Sequence, residues 1–204
     1  MNEPTILVPG FGDDTRILRN LTAFLAREQL NPYPMSPQPS NGVIGIDLLA
    51  AQLAAQIEAT FAPDQPINLV GFSMGGLICR AYVQKLSGAR QIQRLITVAT
   101  PHQGTWTAYS YNRPACLQMR PGSQFLTELN GDTSALERIK FVSIWTPLDL
   151  TIVPANSSRL LVGETLSIVS PLHSLLLADP RILRVIANIL RQTVAGQAES
   201  TTLS

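Results

Sequence analysis

Ile67-Asn68-Leu69-Val70-Gly71-Phe72-Ser73-Met74-Gly75-Gly76-Leu77-Ile78 is an apolar run, a glycine-flanked serine and the start of a second apolar stretch. The run 67–70 reads as a buried strand, and residues 74–86 carry helical spacing. Gly71-Phe72-Ser73-Met74-Gly75 therefore joins a strand to a helix with a serine at the bend. Such a bend must reverse the chain within a few residues. Side chains two positions before and after the serine would collide across it, so both positions must be glycine. The turn lifts the hydroxyl above the strand ends and aims a helix N-terminus at it, where developing negative charge is stabilised. Ser73 is thus a candidate nucleophile, and the Met74 N–H a candidate donor.

Outward from this point the chain alternates. Residues 5–9 form a short β-rich run ending in Pro9-Gly10. Residues 14–30 place Ile17, Leu18, Leu21, Phe24 and Leu25 at helical spacing. Pro32, Pro34, Pro37 and Pro39 restrict any strand at 31–35 to a short sheet edge. Ile46, Leu49, Leu53 and Ile57 form a second helical stripe, and strands follow at 95–99, 141–145 and 165–169. Ser123 caps a short helix stopped at Asn130-Gly131. Asp179-Pro180 opens a last helix, with Ile182, Val185, Ile186, Ile189 and Leu190 on its apolar face. Short strands alternating with helices predict a parallel sheet covered on both faces. The expected organisation is one domain over 1–192, a pocket- or lid-like insertion at 105–139 and a flexible tail at 193–204.

Composition narrows the function. Charged residues are 14% of 204, against about 25% in an average soluble domain. Hydrophobic residues are 45% and mean hydropathy is +0.15, which excludes a disordered chain. A net charge of +1 gives no field to draw the protein onto nucleic acid. No run reaches the roughly 20 apolar residues of a membrane span. Cys79 and Cys116 read as reduced thiols, and with no signal peptide in view the expected location is the cytoplasm. No zinc spacing, phosphate loop or dinucleotide-binding glycine pattern occurs, so neither metal nor cofactor is expected. Arg181, Arg184 and Arg191 share a face of the last helix. That face reads first as solvated, and peripheral contact with anionic lipid is the alternative.

With the serine turn, Val8-Pro9-Gly10-Phe11-Gly12, Thr100-Pro101-His102-Gln103-Gly104-Thr105 and Arg120-Pro121-Gly122-Ser123, the chain resembles the α/β-hydrolase superfamily. Within it the resemblance is to small bacterial lipases and esterases, from Thr5 to about Leu190. It implies a minimal version of that fold: about six mostly parallel strands between helix layers, without the superfamily's first two edge strands. It also implies an order of serine, acid, histidine. His173 follows that order and is expected to be the base. His102 precedes the plausible acids and reads as a loop-tying residue. Asp149, shortly after the strand 141–145, is the expected acid. Asp179 reads as a helix cap, Asp132 follows a helix stop, Asp64 precedes a turn proline, and Glu164 lies at the wrong end of the sheet. By analogy the second oxyanion donor is the Phe11 N–H. Pro9 stands where relatives carry His, which leaves open what braces that loop.

The expected activity is hydrolysis of lipid or other apolar acyl esters through an acyl-enzyme, with Trp106, Tyr109 and Tyr111 as substrate contacts. The same machinery would serve a thioesterase or acyltransferase, and a non-catalytic acyl-binding protein is the alternative from another class.

Overall fold

The computed structural model describes residues 3–86 and 88–192. The expected tail 193–204 lies outside them. Six strands form one parallel sheet in the order β2-β1-β3-β4-β5-β6. They are β1 (Thr5–Val8), β2 (Pro32–Pro34), β3 (Ile67–Phe72), β4 (Ile92–Val98), β5 (Lys140–Trp145) and β6 (Glu164–Ser167). The helices are α1 (Arg19–Arg27), α2 (Ile46–Thr60), α3 (Met74–Lys85), α4 (Pro114–Gln118), α5 (Gln124–Gly131), α6 (Ser134–Glu137) and α7 (Pro180–Arg191). This is the expected parallel sheet with helices on both faces.

Side-chain alternation along the strands divides the interior into two cores. Ile6, Val8, Leu69, Leu95 and Phe141 join α2 and α3 on one face. Leu7, Val70, Phe72, Ile96, Val98, Val142 and Ile144 join α1 and α7 on the other. Every residue of β3 is buried, as a central parallel strand requires. Pro32 and Pro34 sit on the edge strand β2, where a missing N–H leaves no internal ladder bond open.

Several boundaries move. The helix expected at 14–30 is a 3₁₀ turn, Thr15–Leu18, capped by the Asp14 carboxylate, followed by α1. β4 begins at Ile92, three residues before the apolar run, because Arg94 is buried within it: it donates to Asn68 Oδ1 at 2.9 Å and pairs with Glu3 at 2.9 Å. β6 is Glu164–Ser167, not 165–169, and it starts at Glu164, whose carboxylate meets Lys140 of β5 at 3.0 Å. The arginine face of α7 is partly tied down. Arg181 pairs with Asp179 and donates to Val169 O, and Arg191 pairs with Glu28. The region 105–139 contains α4, α5 and α6, and its Ala115, Cys116, Phe125, Leu126 and Leu129 are part of the core beside α3.

Candidate active site

β3 ends at Phe72, and Ser73 takes φ 53° and ψ −125° before α3 begins. That conformation is strained for a residue with a Cβ. The glycines around it have steric causes. A Cβ on Gly71 would lie 2.5 Å from Gly76 Cα, and one on Gly75 would lie 2.4 Å from the Val8 and Pro9 carbonyl oxygens. Gly75 thereby lets the α3 N-terminus approach the end of β1. Met74, the first residue of α3, has no intrahelical acceptor for its N–H. The Phe11 N–H, in the loop after β1, makes no hydrogen bond among the described residues. Two free backbone donors thus come from the two segments that Gly75 brings together.

The Ser40 backbone and side chain fill the bracing role left open by Pro9. Gly12 N donates to Ser40 O at 2.9 Å, and Ser40 Oγ donates to Asp13 O at 2.6 Å. The proline-rich stretch gives no sequence signal for this.

His173 and Asp149 meet beyond the C-terminal ends of the parallel neighbours β5 and β6. Asp149 lies in the turn after β5, and His173 opens the 3₁₀ turn His173–Leu177 after β6. Asp149 Oδ2 accepts from His173 Nδ1 at 2.8 Å, while Oδ1 accepts from Thr151 N at 2.8 Å and Ile152 N at 2.9 Å. Burial pushes the Asp149 carboxyl up. The hydrogen bond and charge of His173 and the two N–H groups outweigh it, so the carboxyl stays below the ordinary range. Thr146 locks the two turns together: its hydroxyl donates to Ser170 O at 2.9 Å and accepts from Ser170 N at 3.1 Å. The His173 ring lies 4.8 Å from the Phe72 ring, next to Ser73 in sequence. Ser73 Oγ makes no side-chain hydrogen bond among the described residues. A hydrogen bond between nucleophile and base is often long or unformed before substrate arrives.

His102 has no free nitrogen. Its Nδ1 receives Arg80 Nη1 at 3.1 Å and its Nε2 meets Thr97 Oγ1 at 3.0 Å, with the ring fully buried. Burial, aided by the Arg80 charge, holds it well below the ordinary imidazole range. It is therefore a neutral tie between the loop after β4 and α3.

Beside Ser73 opens a cavity of about 280 Å³, lined by Phe11, Thr105, Ala108, Tyr111, Cys116, Met119 and Ile152 among others. Of the three expected substrate aromatics, Tyr111 lines it, with its ring 6.0 Å from Phe11. Trp106 and Tyr109 do not. They are exposed and stack on each other at 5.4 Å, with the Arg120 guanidinium 4.5 Å from the Tyr109 ring. Thr105 Oγ1, accepting from Val153 N at 2.8 Å, joins the cavity wall to the Asp149 loop.

The family model described as palmitoyl protein thioesterase matches residues 4–129. The chain belongs to that family. Its α/β-hydrolase fold recurs in Aspergillus fumigatus lipase B, at TM-score 0.81 and 16% identity, covering 95% of this chain and 53% of that one. Bacillus licheniformis lipase BlEst2 in its mature form aligns at TM-score 0.75 and 16% identity, over 93% and 92% of the two chains. A Listeria innocua protein, the lin2722 product, aligns at 0.69 and 15%, over 95% of each. No curated protein matches by sequence. Family and fold make this palmitoyl-thioesterase-family member an α/β-hydrolase of ester-type substrates. No helix among its described residues is long and apolar enough to cross a membrane.

Proposed function

We propose that the protein is a serine hydrolase of carboxylic esters with apolar acyl groups. Ser73 is the nucleophile, His173 the base and Asp149 the orienting acid. One observation carries the reading: a strained serine opens onto an apolar cavity that Phe11 also lines, and the Phe11 and Met74 N–H groups make no hydrogen bond among the described residues. A structural turn has no use for such donors, and they suit an oxyanion.

The chemistry follows from the pairing. Asp149 holds the proton on His173 Nδ1, which leaves Nε2 as the acceptor. Ser73 Oγ attacks the acyl carbon as its proton passes to Nε2. The carbonyl oxygen becomes an oxyanion held by the Phe11 and Met74 N–H groups. His173 then protonates the leaving alcohol, giving an acyl-Ser73 that water cleaves by the same path. Proximity of the cavity to Ser73 supports placing the acyl chain there, against Phe11, Met119 and Ile152.

The family match favours a second reading, thioester hydrolysis by the same groups. A fluorophosphonate probe tests the shared core: it should label the protein and fail to label Ser73→Ala. Equal labelling of both would remove the enzyme reading. Oxygen ester and thioester of one acyl chain, compared by kcat/KM, then separate the two readings, and a thioester preference above tenfold would reverse our choice.

A further inference from the structure

Asp13 differs from the other acids near the site. Asp14 caps the turn Thr15–Leu18 and pairs with Arg16. Asp179 caps α7 and pairs with Arg181. Asp149 accepts three hydrogen bonds. The Asp13 side chain is partly buried and accepts none among the described residues. Only its backbone is held, by Gly10 O, Ser40 Oγ and Gln38 Nε2. A Cβ on Gly10 would lie 3.3 Å from Asp13 Oδ2 and 3.0 Å from Ser73 Cβ. The carboxylate and the nucleophile therefore flank the same small residue. The turn Thr15–Leu18, just beyond, packs against the turn His173–Leu177.

A half-dehydrated acid with no donor is unfavourable unless a cation comes to it. Burial does push the Asp13 carboxyl above the ordinary range, with Asp14 adding to this, and the influence that opposes it is His173. The other charges around the two groups are engaged elsewhere. Asp14 pairs with Arg16, Asp179 pairs with Arg181, and residues 38–40 bring only neutral groups. Asp149 faces the ring at Nδ1. The cation these contacts bring toward Asp13 is the His173 imidazolium that the reaction creates.

We infer that Asp13 is a positioning residue, a second carboxylate beside Ser73 that stabilises the His173 imidazolium formed each time the serine gives up its proton. This rests on the reading of Ser73 and His173 as nucleophile and base. Asp149 fixes the ring, while Asp13 contributes charge without fixing it. The proton moves from Ser73 Oγ to His173 Nε2 and on to the leaving group, and Asp13 never takes it. The contribution is present while Asp13 is ionised and fades as pH falls through its raised titration.

Asp13→Asn, nearly isosteric, tests this. The chain has two histidines, and His102 is buried and held neutral. The His173 ring can thus be followed by proton NMR in a Ser73→Ala background, where no turnover occurs. Its titration should move to lower pH by about half to one unit in Ser73→Ala/Asp13→Asn. In the otherwise native enzyme the acid limb of kcat/KM should move the same way, and kcat should fall about three- to tenfold with KM held within about twofold. A purely structural Asp13 would lower the melting midpoint and leave the ring titration in place, which overturns the proposal. If the protein hydrolyses no ester, the reading of the site fails, but the ring titration still decides the role of Asp13. Should Asp13→Asn fail to fold, Asp13→Ser is measured in the same way, with the same outcomes.

Discussion

Asp149→Asn separates orientation from packing at this site. Asp149 Oδ1 accepts two backbone N–H groups, from Thr151 and Ile152, at 2.8 and 2.9 Å. An asparagine must keep its carbonyl oxygen there, because turning the amide would set its N–H₂ against two donors. The amide nitrogen then occupies the Oδ2 position, 2.8 Å from His173 Nδ1. Nδ1 must become an acceptor, the ring proton moves to Nε2, and the base faces Ser73 with a proton already in place. The loss should approach the roughly 10⁴-fold fall in kcat that the wrong tautomer causes in serine hydrolases, about 5 kcal/mol of barrier. Stability should change little, by about 1 kcal/mol, since every hydrogen bond keeps a partner and only charge assistance is lost. Asp149→Ala should lose activity as well, and it also orphans the Thr151 and Ile152 N–H groups, costing about 1–3 kcal/mol for each left dry. The assay is hydrolysis of a chromogenic short-chain ester beside urea denaturation of both variants. An Asn variant within tenfold of wild type would refute the tautomer argument. Equal denaturation midpoints for Asn and Ala would refute the loop-clamp argument.

Three further outcomes follow from the packing. In Gly76→Ala the new methyl meets Thr100 Oγ1 at 2.0 Å. Overpacking of about 1–3 kcal/mol should therefore exceed the roughly 1 kcal/mol of helix propensity gained. Thr100 Oγ1 makes no hydrogen bond among the described residues, so adding Thr100→Ala should restore part of the melting midpoint, and no restoration would count against a steric cause. Taking a chain carbon to fill about the room of one water, roughly 30 Å³, the 280 Å³ cavity takes about nine carbons. Rates over an ester series should peak near that length, and Ala108→Phe should move the peak to shorter chains. A sharp maximum at acetate or butyrate in the unmodified protein would point to a short-chain esterase instead. His102 is held neutral in the fold, while the unfolded chain binds its proton near pH 6.5. Its contribution is therefore complete above about pH 7 and declines below 6.5, by up to about 1.4 kcal/mol per pH unit. Urea denaturation at pH 7.5 and 5.5 should show this slope, and His102→Gln should flatten it.

What could be read from the sequence was local. The serine bend is legible because its steric demands fall on residues two positions away, and Gly71 and Gly75 meet them. Asp179-Pro180 and Ser123 are legible as helix starts for the same reason, and the structure gives both caps. The proline-bearing edge strand follows from a missing donor. The rest depends on partners far along the chain. Ser40 braces the loop after β1 from 27 residues away from Asp13. Thr146 ties down Ser170 from 24 residues away. Neither hydroxyl belongs to a pattern, since a serine that bonds a distant carbonyl looks like any other. Trp106 and Tyr109 show the converse problem. An aromatic residue in a suspected substrate region carries no information about which way it faces, and here two of three stack on each other in solvent.

The low charge content acquires a physical meaning at this site. Few ionisable groups are used, and each is restrained by neutral dipoles. Arg80 is fully buried and pairs with no carboxylate among the described residues. It donates to Leu129 O, Asn130 Oδ1, Gln84 Oε1 and His102 Nδ1, and burial draws its guanidinium down to about 9, still cationic at neutral pH. Burial of the His102 ring, aided by that cation, keeps His102 neutral. His102 is thereby kept out of acid–base work, in keeping with the proposal of His173 as the base. Asp149 is restrained in the same manner by backbone N–H groups. A site assembled this way keeps its cavity apolar while its few charges are held by neutral groups of the fold. Exchanging Arg80 for Met would remove the cation but strip partners from Leu129, Asn130 and His102 together. The damage would therefore appear as lost folding stability, and the loop carrying Thr105 at the cavity wall would be the first part of the site to loosen.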